Sequence, residues 1–124
     1  MSNDFKLTNL TSYKISCELA KIIYEIVKTW SYLDKQTVGI QLIRAIDSIA
    51  ANIAEGFGRY HKKDKIKFYY NARASAVESS HWIETAYERN LLKENDYAEI
   101  KDLLEKLPKE INLLIKLTGN NLKI

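Results

Sequence analysis

The chain has 124 residues, 46% of them hydrophobic and 28% charged, with a formal net charge of +3, a balance that suits one soluble globular domain and excludes a disordered chain. A single cysteine, Cys17, excludes an internal disulfide and a cysteine-built zinc site, so nothing calls for an oxidising compartment. One proline and four glycines are too few for the many tight turns of an all-β fold, whereas long helices fit easily.

Residues 1–10 read as a short flexible lead without a signal-like apolar segment, and no later run approaches the roughly 18 apolar residues of a membrane span. The expectation is a cytoplasmic protein with no membrane partner, folded as one domain over 1–124. In the first helical segment Ile15, Leu19, Ile22, Ile26 and Trp30 recur at spacings of three and four, behind Thr11 or Ser12 as N-cap. The second begins near Asp34, places Leu42, Ala45, Ile46, Ile49, Ile53 and Phe57 on a stripe, and stops at Gly56 and Gly58.

The third segment opens around Asp64 and runs to about Leu92. Ile66, Tyr69, Ala76, Ile83, Tyr87 and Leu91 share one face, which Phe68, Tyr70, Val77 and Trp82 widen. The fourth, capped by Asn95, carries Tyr97, Ile100, Leu104, Leu107, Ile111 and Leu114 in a clean heptad. Pro108 lies inside that pattern and predicts a kink near Leu104–Leu107 or a break into two shorter helices. Short connections between matched long helices predict an all-α, antiparallel up-down-up-down four-helix bundle. The stripes of the second and third helices are wider than one core needs. Phe57, Phe68, Tyr70 and Trp82 are the surplus, and such surplus predicts an interface between copies.

The run QLIRAIDSIAANIAEGFGR from Gln41 to Arg59, followed by FYYNARASAVESSHWIETA from Phe68, resembles a bacterial four-helix-bundle protein family encoded by intervening sequences of large-subunit ribosomal RNA genes. The matching positions are Arg44, Ala45, Ser48, Ile49, Asn52, Ile53, Ala54, Glu55, Gly56, Gly58 and Arg59, then Phe68, Ala72, Arg73, Ser75 and Glu78. Ala50 stands where the family commonly has proline, and Ala74 where it commonly has glycine. The resemblance implies a left-handed bundle, assembly into a homopentameric ring and no established enzymatic activity. A related branch looks like the accessory variability determinant of diversity-generating retroelements, a basic pentameric barrel that binds nucleic acid and a reverse transcriptase.

Arg44, Ser48, Asn52 and Glu55 follow spacings of four, four and three along one side of the second helix, and Arg73 and Glu78 lie on the third. If those helices form a hairpin, Arg73 should meet Asn52 or Ser48. The six then read as a structural polar network that fixes helix register, in preference to a catalytic centre. Glu78 and His81 make one Glu-x-x-His half-motif, whereas a di-iron bundle needs two plus two further glutamates; His61 is the other histidine of the chain, and no cofactor is expected. The Arg–His spacing of bundle-type nucleotide-binding ribonuclease domains is absent, and Cys17 reads as a small core residue. Gly56-Phe57-Gly58 lacks the third glycine and the preceding strand of a dinucleotide loop.

The charge is unevenly placed. Segment 59–67, RYHKKDKIK, carries +4, and the remaining residues sum to about −1. Arg59, Lys62, Lys63, Lys65 and Lys67 are therefore candidates for phosphate contacts on RNA or DNA, with Lys62, Lys63 and Lys65 free in water and Tyr60 placed to stack on a base. Five copies of this segment on one rim would multiply the field. A ring that binds only proteins, its basic turn incidental, is the alternative.

Overall fold

The computed structural model describes residues 6–121, and all its regular secondary structure is helical. Four long helices, α1 (Thr11–Val27), α3 (Ile40–Gly58), α4 (Lys62–Glu88) and α5 (Glu94–Asn121), form the bundle; α2 (Tyr32–Asp34) is a single turn that runs through a π turn at Lys35–Gly39 into α3. Each long helix packs on the next in the chain, and α5 closes the ring on α1. Gly56 of α3 lies against Tyr69 of α4, and Ser48 against Ser75, so these two helices run in opposite directions. Tyr97 against Glu84 and Lys62 against Gly119 show the same for α4 and α5.

The core follows the apolar periodicity. Leu19, Ile23, Leu42, Ile46, Ile49, Ile53, Ile83, Ile100, Leu107 and Ile111 are fully buried, each removing enough apolar surface from water to contribute about 1.5–3 kcal/mol. On α1 the buried line is Ser12, Ser16, Leu19, Ile23 and Val27, while Ile15, Ile22 and Ile26 are only partly covered. The buried line is turned from the expected stripe, and Ser16 can face the core because its hydroxyl donates to Ser12 O one turn back, at 2.6 Å.

The helix ends differ in detail from the sequence reading. Leu10, with no side-chain cap, precedes α1, so neither Thr11 nor Ser12 is the N-cap. A 3-10 turn at Leu7–Asn9 leads in, with Leu7 and Leu10 packed on the core, while residues 1–5 of the expected flexible lead lie outside the described residues. Ser31, not Asp34, caps α2: its Oγ accepts from Asp34 N at 3.3 Å and donates to Asp34 Oδ2 at 2.9 Å. His61 is the N-cap of α4, and Asp64 sits in the first turn, where its charge suits the helix dipole.

Helix α4 stops at Glu88, short of Leu92. Asn90 adopts φ 61°, and Leu91 N–H bonds Ala86 O at 2.9 Å while Asn90 N–H bonds Tyr87 O at 3.0 Å, which is a Schellman cap with asparagine in place of glycine. Helix α5 is continuous through Pro108, so the alternative of two shorter helices is not realised. Proline removes the donor that Leu104 O would otherwise accept, and packing of Leu103, Leu104, Leu107 and Ile111 in the core holds the helix through the gap.

Candidate nucleic-acid interface

The basic segment sits at the end of the bundle where α3 stops, α4 starts and α5 stops. Gly56 makes this corner. A β-carbon there would stand 2.7 Å from Tyr69 Cε1 and 3.0 Å from Lys65 O, so only glycine lets α3 and α4 approach this closely. It is not in a left-handed conformation, and neither is Gly58, around which a β-carbon would meet nothing within 4 Å. The helix ends near the glycines as expected, but Gly56 serves the close approach of Tyr69 and not a left-handed stop. That ring is buried, faces Thr118, and its phenol is pushed up to about 12 by loss of water.

The cations of this segment divide into two groups. Lys65 Nζ donates to Phe57 O at 2.7 Å, lies 5.6 Å from the Phe57 ring centre, and is pulled below the usual lysine value by burial. Lys62 Nζ donates to Gly119 O at 3.2 Å. Both ammonium groups thus neutralise carbonyls at the C-terminal ends of helices, α3 and α5 respectively. Arg59 pairs with Glu55, 2.9 Å away, and lies 4.7 Å over the Phe68 ring. These three serve the fold, which corrects the expectation that Lys62 and Lys65 are free in water.

Lys63 and Lys67, by contrast, are exposed and make no hydrogen bond or ion pair among the described residues. Tyr60 is 74% exposed and touches His61 edge-on at 5.0 Å. The groups at this end that remain available to a polyanion are therefore Lys63, Lys67, Tyr60 and the outer edge of Arg59.

The six residues expected as one polar network are separated. Ser48 Oγ meets Ser75 Oγ at 3.0 Å across α3 and α4, and Asn52 Nδ2 donates to Ser48 O at 2.8 Å, so two of the six adjoin. Arg73 does not reach them: it turns to the other side of α4, donates to Asn112 Oδ1 of α5 and lies over the Tyr70 ring at 4.9 Å. Glu55 belongs to Arg59, and Glu78 accepts from Trp82 Nε1 at 3.2 Å. Arg44 is exposed, without a hydrogen bond or ion pair among the described residues. A hairpin model of the sequence fails here because α4 has two flanks, and Arg73 lies on the one that faces α5.

A further polar cluster, outside the residues expected from the sequence, joins α4 to α5. Tyr97 OH donates to both oxygens of Glu84, at 2.7 and 2.8 Å, and Lys101 Nζ pairs with Glu84 Oε2 at 3.0 Å. Tyr87 stacks on Tyr97 with centres 3.8 Å apart and donates to Glu94. Donation from Tyr97 and then Lys101 holds the Glu84 carboxyl below its usual range. Tyr87 and Tyr97 stood on apolar stripes, which hid their hydroxyls; a glutamate in register with a tyrosine of the next helix was the available signal.

Cys17 is exposed, not a core residue. His81 is exposed and packs edge-on against Trp82 at 4.8 Å. Among the described residues no group of three His, Cys, Asp or Glu side chains could hold a metal ion, and no helix is long and apolar enough to cross a membrane. Buried side-chain polar atoms among these residues all have hydrogen-bond partners. Two surface depressions lie away from Arg73 and Glu55: one of about 180 Å³ between Asn9–Ser12 and the Glu110–Leu117 part of α5, another between α1 and the start of α5.

Comparison with known proteins agrees with this architecture. The profile of a family described as 23S rRNA-intervening sequence protein matches residues 8–113. A crystal structure of a protein of unknown function from the S23 ribosomal protein family of Bacteroides thetaiotaomicron superposes with a TM-score of 0.76 at 24% identity, covering 86% of this chain and 99% of that one. No curated protein matches.

Proposed function

The chain belongs to the 23S rRNA-intervening sequence protein family, and from that premise we propose that it is a non-enzymatic, cytoplasmic, homo-oligomeric scaffold, a pentamer, that holds RNA or DNA backbone at its basic end. The observation that carries this reading is the pair of exposed, unpartnered lysines, Lys63 and Lys67, beside the exposed ring of Tyr60 at one end of the bundle. An exposed lysine without an ion-pair partner attracts phosphate and releases the counterions condensed on the strand, and repetition of that end around a ring would add the fields of the copies. Tyr32 and Leu33, 79% and 70% exposed at the opposite end, supply apolar surface for contacts between copies. The family's name speaks of 23S rRNA, which makes RNA the first polyanion to test.

The test is a salt titration of binding to generic RNA and to single-stranded DNA. The Lys63→Glu/Lys67→Glu variant should lose most of the affinity at low salt, with a flatter salt dependence in what remains. Binding that is absent at low salt, or unchanged in that variant, removes the nucleic-acid reading. A second reading, a ring that binds only proteins, is favoured by the internal use of Arg59, Lys62 and Lys65, which leaves the end less positive than its composition suggests.

A further inference from the structure

The two free lysines do not sit on the turn itself. They lie inside α4, on the side turned away from the core residues Tyr69, Ala72 and Ala76. At 100° per residue, Lys63, Lys67, Tyr70, Ala74 and Val77 fall on one outward stripe, and all five are exposed. Lys63 and Lys67 stand one turn apart, roughly 6 Å along the axis, a separation on the scale of neighbouring phosphates in one strand. One turn further stands Tyr70, 47% exposed, with the Arg73 guanidinium over its ring at 4.9 Å. Arg73 is in turn held by Asn112 of α5, so the aromatic ring and its cation are fixed by two helices before any ligand arrives. No acidic residue lies on the stripe between Lys63 and Val77: Asp64 is half-buried, about 100° round α4 from Lys63, and pairs with neither lysine among the described residues.

We propose that this stripe of α4, from Lys63 through Lys67 to Tyr70 and Arg73, is a track for a single-stranded nucleic acid, with phosphates on the two lysines and an unpaired base stacked at the Tyr70–Arg73 pair. The proposal rests on the reading that the basic end binds nucleic acid, and it adds the class of ligand. A duplex can satisfy the lysines, but its bases are already stacked on one another and cannot use the tyrosine. Charge alone would favour the duplex, whose charge density is higher, whereas a track with a stacking post favours the single strand.

The experiment compares binding of poly-U, poly-dT and a duplex of matched length to the full chain and to Tyr70→Ala, Tyr70→Phe and Lys63→Gln/Lys67→Gln, with thermal melts and light-scattering mass for each variant. Tyr70→Ala should weaken both single strands about tenfold, as loss of a base–aromatic stack does, with the salt slope and the duplex affinity unchanged. Tyr70→Phe should retain binding. The lysine pair should lower the salt slope by roughly 0.7 per phosphate contact removed. If single strands bind with the lysine-dependent salt slope but Tyr70→Ala binds them as well as the parent, the track is wrong and the basic-end reading survives. No binding of any strand removes both. A changed particle mass in Tyr70→Ala overturns the track by placing Tyr70 in a contact between copies.

Discussion

At the scale of single residues, two glycines of one motif have opposite duties. Gly56 is pinched between Tyr69 and the Lys65 carbonyl, and an added methyl group must push the ring or the backbone aside. Gly56→Ala should therefore lose about 1–3 kcal/mol in urea denaturation, the usual penalty of overpacking. Gly58 ends the same helix with open space around it and no positive φ, so Gly58→Ala should be neutral or gain up to about 1 kcal/mol from helix propensity. Equal effects in the two variants would mean that helix termination, not the approach of Tyr69, explains the motif. Tyr69 adds a pH dependence. Its phenol titrates at about 12 in the fold against 10.0 in the unfolded chain, so the folded state holds the proton more tightly. Stability is full below about pH 10 and falls as pH climbs from there through 12, and Tyr69→Phe should flatten that alkaline loss in pH-dependent urea melts.

At the scale of elements, the end of α4 depends on a residue that the sequence does not advertise. Asn90 holds φ 61°, a conformation that asparagine tolerates and a β-branched residue does not. Asn90→Val should cost about 1–2 kcal/mol, and Asn90→Gly should cost nothing or stabilise, in thermal or urea melts. The sequence shows the four long helices because apolar spacing and the scarcity of proline and glycine leave few alternatives. It hides how helices stop and which flank a polar residue takes: with no glycine at position 90, α4 reads as running on to Leu92, and Arg73 reads as facing α3 when it faces α5. Acid behaviour belongs to this scale as well. Glu84 links α4 to Tyr97 and Lys101 of α5, and its lowered pKa contributes stability that is present above the ordinary glutamate range and lost as pH falls through the folded value. Glu84→Gln should reduce the acid sensitivity of the melting temperature, because it keeps an acceptor for Tyr97 and removes the titrating charge.

At the scale of the whole molecule, composition overstates the free charge. A +4 segment shrinks, once Lys62 and Lys65 are set on helix carbonyls and Arg59 on Glu55, to two exposed lysines per chain. Two lysines are a weak hold on a polyanion in one subunit, where exposed charges are screened within about 8–10 Å at ordinary salt. Repeated around the proposed ring they would add their fields, which links binding to assembly, and each variant that dissociates the ring should also weaken nucleic-acid binding. The proposed ring rests on the wide apolar stripes and the family resemblance, since nothing in one chain's periodicity counts its neighbours. The most direct test of the account is the solution mass of the purified chain by light scattering at micromolar concentration. A particle of five chains that persists in moderate salt is expected; a particle of one chain at that concentration rules out the proposed assembly.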